Sequence, residues 1–123
     1  MANNAIKITS LIYALIFSCK LFSGEHFSVF GSLVVFDRNE QGILINADCR
    51  KCLAMKSLDK LKQEKLKVDD KYKINGANIG ALQCEINLGG EIVTGVNQKF
   101  KNRRLKFCLF KDGSMIHARA LTQ

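Results

Sequence analysis

The spacing of hydrophobic and polar residues along this chain predicts an apolar N-terminal segment followed by two hairpins and two helices. Residues 6–19 are almost continuously apolar. Residues 27–36 are rich in β-branched and aromatic side chains and are short for a helix, so they predict a strand. A polar turn at 37–42 follows, in which Gly42 can supply a position with φ > 0, and residues 43–46 predict a short return strand.

The next segment predicts a basic amphipathic helix that begins after Asp48, a residue suited to capping a helix N-terminus. Apolar or thiol side chains recur at every third position, and lysines fill the opposite side of the helix. The apolar or thiol positions are Cys49, Cys52, Met55, Leu58 and Leu61. Residues 68–76 are typical of an exit from the helix and a linker.

The last third of the chain predicts a further helix and strand. Asn78 can cap a helix that runs from Ile79 to about Leu88, and Gly89 supplies the left-handed position that ends it. Gly80 weakens the first turn of this helix, so we expect close packing at that position. Residues 91–96 predict a strand.

A second hairpin follows, with a two-residue type I′ turn predicted at 112–113. This register places Phe110 opposite Met115 and Cys108 opposite His117. Both faces of the hairpin carry apolar groups, so the pattern does not decide which face meets the helix. Together the elements predict an α+β fold, a small single domain in which helices pack on antiparallel β-hairpins.

Length and composition limit the classes of protein to consider. A chain of 123 residues suits one domain, and its 47% apolar composition is typical of a globular fold. Tryptophan and proline are absent, which removes the usual anchors for sugars and Pro-rich peptides. The net charge of +8 favours anionic partners. Five cysteines in so short a chain indicate an oxidising compartment or a metal site.

The N-terminal apolar run is typical of a targeting signal. Lys7 precedes about eleven apolar residues, the length of a signal-peptide core and too short to span a bilayer. The end of the run, residues 16–19, resembles a bacterial lipobox, so we predict a signal peptide over residues 1–18 and lipidation of Cys19. Plain secretion with cleavage near residues 23–24 is the alternative, and a buried N-terminal helix is a third interpretation.

The four cysteines downstream of Cys19 admit three kinds of chemistry. Cys49 and Cys52 form a CxxC in the first turn of the basic helix, where cations and the helix N-terminus would stabilise a thiolate. A structural disulfide is favoured, because the βαβ pattern of a thioredoxin site is missing; redox exchange and a metal site shared with Cys84 and Cys108 are the alternatives. A Cys84–Cys108 bond would close a loop of 24 residues and stabilise the domain by about 3 kcal/mol.

The turn before the final hairpin is the strongest anion-facing patch in the sequence. It holds five basic side chains and no acid between residues 97 and 106. These side chains are Lys99, Lys101, Arg103, Arg104 and Lys106. They could contact phosphates, lipid headgroups or an acidic protein, and the simpler interpretation is a solvated loop made soluble by its charge. His117 is expected to pack across the strands, because the sequence places no nucleophile or carboxylate beside it.

The pattern of about residues 78–118 resembles a short domain of unknown function in bacterial envelope lipoproteins labelled as hemolysins. The shared residues are Asn78, Cys84, Gly89, Gly90, Cys108, Phe110, Asp112, Gly113 and Ser114. Ile79 stands where that family has proline, and Gly80 stands where it has alanine. The resemblance implies an envelope location and a small disulfide-supported α+β unit, and it carries over no catalytic residue.

These observations predict a non-enzymatic protein of the bacterial cell envelope, a cationic binding or structural module without cofactor or metal. Residues 19–77 would hold the first hairpin, the basic helix and a linker, and residues 78–123 the helix–strand–hairpin unit. A lipid on Cys19 would tether the domain, preferably at the outer membrane facing the periplasm, with secretion as the alternative. We expect an anionic envelope component or protein as partner. The alternatives are a thiol–disulfide protein using Cys49 and Cys52, and a nucleic-acid binder using the basic turn.

Overall fold

A computed structural model of the protein describes residues 24–72 and 78–122, and the predicted signal segment with Cys19 lies outside these ranges. Six antiparallel strands form one closed barrel in the order β1-β2-β3-β6-β5-β4. The strands are β1 (Glu25–Val29), β2 (Ser32–Arg38), β3 (Leu44–Asn46), β4 (Glu91–Asn97), β5 (Arg104–Leu109) and β6 (Met115–His117). The helices are α1 (Leu53–Gln63) and α2 (Ile79–Leu82), which continues as a π-helical turn (Gln83–Asn87). Short 3-10 turns span Asp70–Tyr72 and Ala118–Leu121.

The predicted α+β fold of helices packed on separate hairpins is wrong, because the strands close into a single barrel. Residues 27–36, predicted as one strand, belong to a hairpin of their own. Phe30 and Gly31 have φ of 52° and 77°, the left-handed values that a two-residue hairpin turn needs, and Val29 pairs with Ser32 across it. Little in the sequence indicates this turn, because phenylalanine rarely adopts a left-handed conformation.

The additional strand lets the barrel close between β1 and β4, where Phe27 pairs with Asn97. Three phenylalanine rings fill the interior behind this seam. The rings of Phe27, Phe36 and Phe107 lie with centroids 5.5, 5.2 and 4.3 Å apart. A Cβ at Gly95 would lie 2.6 Å from the Phe107 ring, so a glycine in β4 makes room for the central aromatic residue.

The strands β3, β6 and β5, which are neighbours in the barrel, bury apolar side chains on both faces. The inward residues are Leu44, Phe107 and Met115, and the outward residues are Ile45, Cys108 and Ile116. The outward side chains form a second core with both helices and the last 3-10 turn. The residues contributed from these segments are Ala54, Leu58, Leu61, Cys84 and Leu121. The Cys108 face of the final hairpin is therefore the one that meets the helices.

Helix α2 begins and ends as its sequence predicts. The Asn78 side chain accepts a hydrogen bond from the amide of Ala81 at 3.2 Å, which caps the N-terminus. Gly89 has φ of 68°, the left-handed conformation expected after a helix. A Cβ at Gly80 would lie 2.0 Å from the carbonyl oxygen of Ala118, so the expected close packing at this glycine is confirmed.

A disulfide between Cys84 and Cys108 joins the π-helical turn that follows α2 to β5, and the two Cα atoms are 5.7 Å apart. Both side chains are fully buried. A Cβ at Gly90 would lie 2.4 Å from the Cys108 sulfur and 2.9 Å from the Cys84 sulfur. The two adjacent glycines thus have different roles. Gly89 ends the helix through its backbone conformation, and Gly90 leaves space for the disulfide.

The final hairpin differs by one residue from the predicted register. Gly113 has φ of 84° and Asp112 is not left-handed, which is typical of a type I turn with a bulge rather than of a type I′ turn. The loop therefore holds one residue more than predicted. The observed pairs are Phe107 with His117, Cys108 with Ile116 and Leu109 with Met115.

Replacing Gly80 with alanine should destabilise the protein by roughly 2–3 kcal/mol, because the new methyl group would overlap a backbone oxygen that cannot move freely. The matched control is Gly89→Ala, where no atom lies within 4 Å of a new Cβ and only the positive φ opposes the change. That control should cost about 1 kcal/mol. Denaturant unfolding under oxidising conditions measures both values, and equal losses would contradict the close approach of α2 to Ala118.

Candidate functional site

Helix α1 receives its N-terminal cap from a turn that is distant in sequence. The amide of Leu53 donates to a carboxylate oxygen of Asp112 at 2.8 Å. The amide of Ala54 donates to the hydroxyl of Ser114 at 3.0 Å, in a buried position. Cys52, which directly precedes the helix, makes no side-chain capping hydrogen bond. The run from Asp112 to Ser114 therefore supplies what the helix lacks locally.

The prediction that Asp48 caps this helix is wrong, because α1 begins only at Leu53. The carboxylate of Asp48 instead accepts a hydrogen bond from the side chain of Asn46 at 2.8 Å. The functional cap, Asp112, has its pKa lowered from 3.8, first by the amide of Leu53 and then by the hydroxyl of Ser114, while desolvation opposes the shift. The charged carboxylate is thus the form that the folded protein favours.

The structure pairs Cys49 with Cys52 as a disulfide, with Cα atoms 5.3 Å apart, at the start of α1. In a redox site of this type the free amides of the first helical turn stabilise the departing thiolate. Here the amides of Leu53 and Ala54 are already taken. A carboxylate at the same helix end, that of Asp112, would also repel a thiolate. These contacts disfavour the thiol–disulfide exchange interpretation.

The metal alternative also lacks a supporting arrangement. Within residues 24–72 and 78–122, no group of three or more His, Cys, Asp or Glu side chains is placed to hold a metal ion. The two cysteine pairs form separate cross-links, one within the segment before α1 and one between α2 and β5. A four-thiolate site would require both bonds to open.

The predicted anion-binding residues lie together on what we call the basic loop, residues 98–106, which comprises the β4–β5 turn and the first half of β5. Buried Asn97 builds the turn: its side-chain oxygen accepts from the amides of Lys99 and Phe100, each at 2.9 Å. The backbone amide of Asn97 donates to the carbonyl of Arg103 at 3.0 Å. The loop backbone is therefore held by a side chain that the charge pattern of the sequence does not indicate.

All five predicted cations of the basic loop are exposed. Lys99, Lys101 and Arg103 lie in the turn, and Arg104 and Lys106 follow on the outer face of β5, where they alternate with inward side chains. Within the described part of the chain none of these five cations forms an ion pair with a carboxylate, whereas Arg38 pairs with Glu25 at 2.8 Å. The loop presents an uncompensated positive surface.

His117 is the one histidine with a shifted pKa in the part of the chain that the structure describes. Its ring packs 5.8 Å from that of Phe107 across the strand pair, in the packing role predicted for it. Burial is the main reason that the pKa of His117 is lowered from 6.5. The charges of Arg119, Arg38 and Arg103 lower it further, against an opposing effect of Glu25.

An open cleft of about 570 Å³ connects the basic loop to the start of β1. Gly24 lines it on one side, and Lys99, Phe100 and Arg103 line it on the other. The amide of Gln98 donates to the carbonyl of His26 at 2.9 Å, which fixes the loop against β1. The chain that precedes the barrel therefore joins it beside the basic loop.

The chain matches no protein-family profile, and no curated protein or solved structure matches it significantly. The resemblance to hemolysin-labelled envelope lipoproteins accordingly stays a prediction. Among the described residues, no helix has both the length and the apolar character needed to cross a membrane.

Removing the distant cap should weaken the attachment of α1. Ser114→Ala leaves the buried amide of Ala54 without its acceptor and should lower the free energy of unfolding by about 1–3 kcal/mol.

Asp112→Asn should lower the melting temperature at neutral pH. Because the folded-state pKa of Asp112 lies below 3.8, its stabilisation is present above that value and is lost as the pH falls through the folded-state pKa. Melting curves at several pH values should therefore converge for wild type and Asp112→Asn in acid. A constant difference at every pH would contradict a charged cap.

His117 should make the protein less stable in mild acid. Its folded-state pKa lies below 6.5, so the unfolded chain takes up the proton first, and the free energy of unfolding falls as the pH drops from about 6.5 through the folded-state value. Replacement by glutamine removes this titration and should flatten that part of the stability profile. Urea unfolding at a series of pH values measures the free energy of unfolding of both proteins. If it changes with pH equally in the wild type and in the glutamine variant, His117 is not held neutral by its surroundings.

Proposed function

We propose that this protein is a non-enzymatic module of the bacterial cell envelope that binds an anionic partner through the basic loop. The observation that carries the proposal is the exposure of five cations on the basic loop, whose turn is fixed by buried Asn97. A fixed arrangement loses less conformational entropy on binding than a flexible charged loop does. Charge at this position would also raise the association rate with an anionic surface.

A binding role is supported by how the other polar groups are used. Among residues 24–72 and 78–122, the titratable groups with shifted pKa values are Asp112 and His117, and each has a structural role. Asp112 caps α1, and His117 packs against Phe107. Perturbed groups often mark catalytic sites, but in these two cases the packing and capping contacts account for them.

An envelope location is supported by the cysteine pairing. The structure joins four cysteines in two disulfides, which persist in oxidising compartments such as the bacterial periplasm. A lipid on Cys19 is the proposed means of attachment. The thiol–disulfide alternative loses support because the first amides of α1 are already hydrogen-bonded to the turn at 112–114.

Neutralising the basic loop should weaken binding to a soluble polyanion. The variant carries glutamine in place of Lys99, Lys101, Arg103, Arg104 and Lys106. Affinity for dextran sulfate should fall by at least about tenfold, since each basic residue contributes on the order of 1 kcal/mol near an anionic surface. Isothermal titration calorimetry at low and high salt measures this loss of affinity. The loss should be smaller at high salt, because salt screens the charges.

The matched control replaces five exposed lysines within and on either side of α1 with glutamine, which changes the net charge equally. These are Lys51, Lys56, Lys60, Lys65 and Lys67. The control should retain most of the affinity. Equal losses in both variants would mean that net charge alone attracts polyanions, and the basic loop would then not be a binding site. Tighter binding to single-stranded DNA than to dextran sulfate would favour the nucleic-acid alternative.

A further inference from the structure

We propose that the anionic partner is a lipid surface, on which the basic loop docks with Phe100 inserted between the headgroups. This inference rests on the proposed function, because it names the partner of the same loop. It assigns an orientation to the domain: the end of the barrel that carries Gly24 and the basic loop faces the bilayer, and the β1–β2 turn points away.

The first support is the chemistry of the loop tip. Phe100 is 53% exposed, although it is a large apolar side chain. It stands between Lys99 and Lys101, and the Lys99 ammonium lies 5.5 Å from the centre of its ring. An apolar ring surrounded by cations matches the boundary of an anionic membrane, where the ring enters the acyl region and the cations meet the headgroups.

The second support is that the loop is organised before it binds. The amide of Phe100 donates to buried Asn97, and its carbonyl accepts from the amide of Arg103 at 2.9 Å. The ring is thus held at the tip of a closed turn rather than on a mobile segment. Insertion would then require little additional ordering of the backbone.

The third support is where the N-terminal segment joins the barrel. Gly24 and Phe100 line the same cleft, and the amide of Gln98 is bonded to His26. Five peptide units separate Gly24 from Cys19, and they span at most about 18 Å. An apolar segment or a lipid held by a bilayer at Cys19 would bring this end of the barrel against the same surface.

The two attachments would reinforce each other. A lipid on Cys19 and the basic loop beside Gly24 would act as two signals for the same membrane surface. The link between Cys19 and the barrel is short, so the effective concentration of the basic loop at the surface would be high. An acidic protein or wall polymer would meet the same charges without using the exposed ring.

Tryptophan substitution tests the orientation directly, because the chain contains no tryptophan of its own. Phe100→Trp places one reporter at the tip of the basic loop. The matched control is Phe30→Trp, which reports from the β1–β2 turn, where Phe30 is 77% exposed at the opposite end of β1. Both variants carry the same N-terminal segment, so the amount of protein that this segment attaches to the vesicles is the same for both.

The probes are vesicles of phosphatidylcholine with and without phosphatidylglycerol, and the same vesicles with brominated acyl chains. Fluorescence of Phe100→Trp should shift to shorter wavelength on anionic vesicles and be quenched by the brominated lipid, whereas Phe30→Trp should remain unchanged. Phe100→Ala should weaken binding to anionic vesicles by about fivefold and leave binding to dextran sulfate unchanged.

Three results would overturn the membrane-docking inference: no change at either reporter, equal changes at both, or a change confined to Phe30→Trp. If dextran sulfate binding still depends on the basic loop in that case, the proposed function stands and only its lipid partner is excluded. If the glutamine variant of the loop loses neither dextran sulfate nor vesicle binding, the proposed function fails together with the inference.

Discussion

The capping of α1 by the turn at 112–114 is the contact on which the outer half of the molecule depends. The helix buries Ala54, Leu58 and Leu61 against the outside of the barrel, but its own sequence leaves the first amides unsatisfied. Asp112 and Ser114 satisfy them from the end of the final hairpin. The N-terminus of α1 therefore depends on the final hairpin, whose turn is closed by its own hydrogen bonds between Phe110, Gly113 and Ser114.

The same dependence explains the sequence pattern that resembles hemolysin-labelled lipoproteins. Cys84 and Cys108 cross-link the outer core, and Gly90 leaves room for their sulfur atoms. Phe110 packs in that core, and the turn that follows caps α1. Every part of the pattern that can be followed in the structure has a packing, capping or covalent role. These residues therefore hold the fold together, and none of them belongs to the basic loop.

Local signals in the sequence were sufficient for the parts of the fold that local contacts determine. The Asn78 cap and the left-handed Gly89 depend on their own helix and were predictable. Barrel closure was not, because it needs the turn at Phe30 and the pairing of Phe27 with Asn97, which is a contact between distant segments. The cap of α1 was mispredicted for the same reason. A nearby aspartate, Asp48, looked adequate, and the true partner comes from the other end of the chain.

The sequence alone indicated only part of the candidate site. Its charges stand together between Lys99 and Lys106, so composition alone indicated them. Lysines of α1 are just as exposed, however, and charge counting cannot choose between the two surfaces. What distinguishes the basic loop is its setting: buried Asn97 fixes its backbone, and Gly24 joins the barrel beside it. If Cys19 is held at a membrane as we propose, the cationic surface beside Gly24 would lie close to that membrane. Its position in the fold, more than its charge, is therefore the argument for its function.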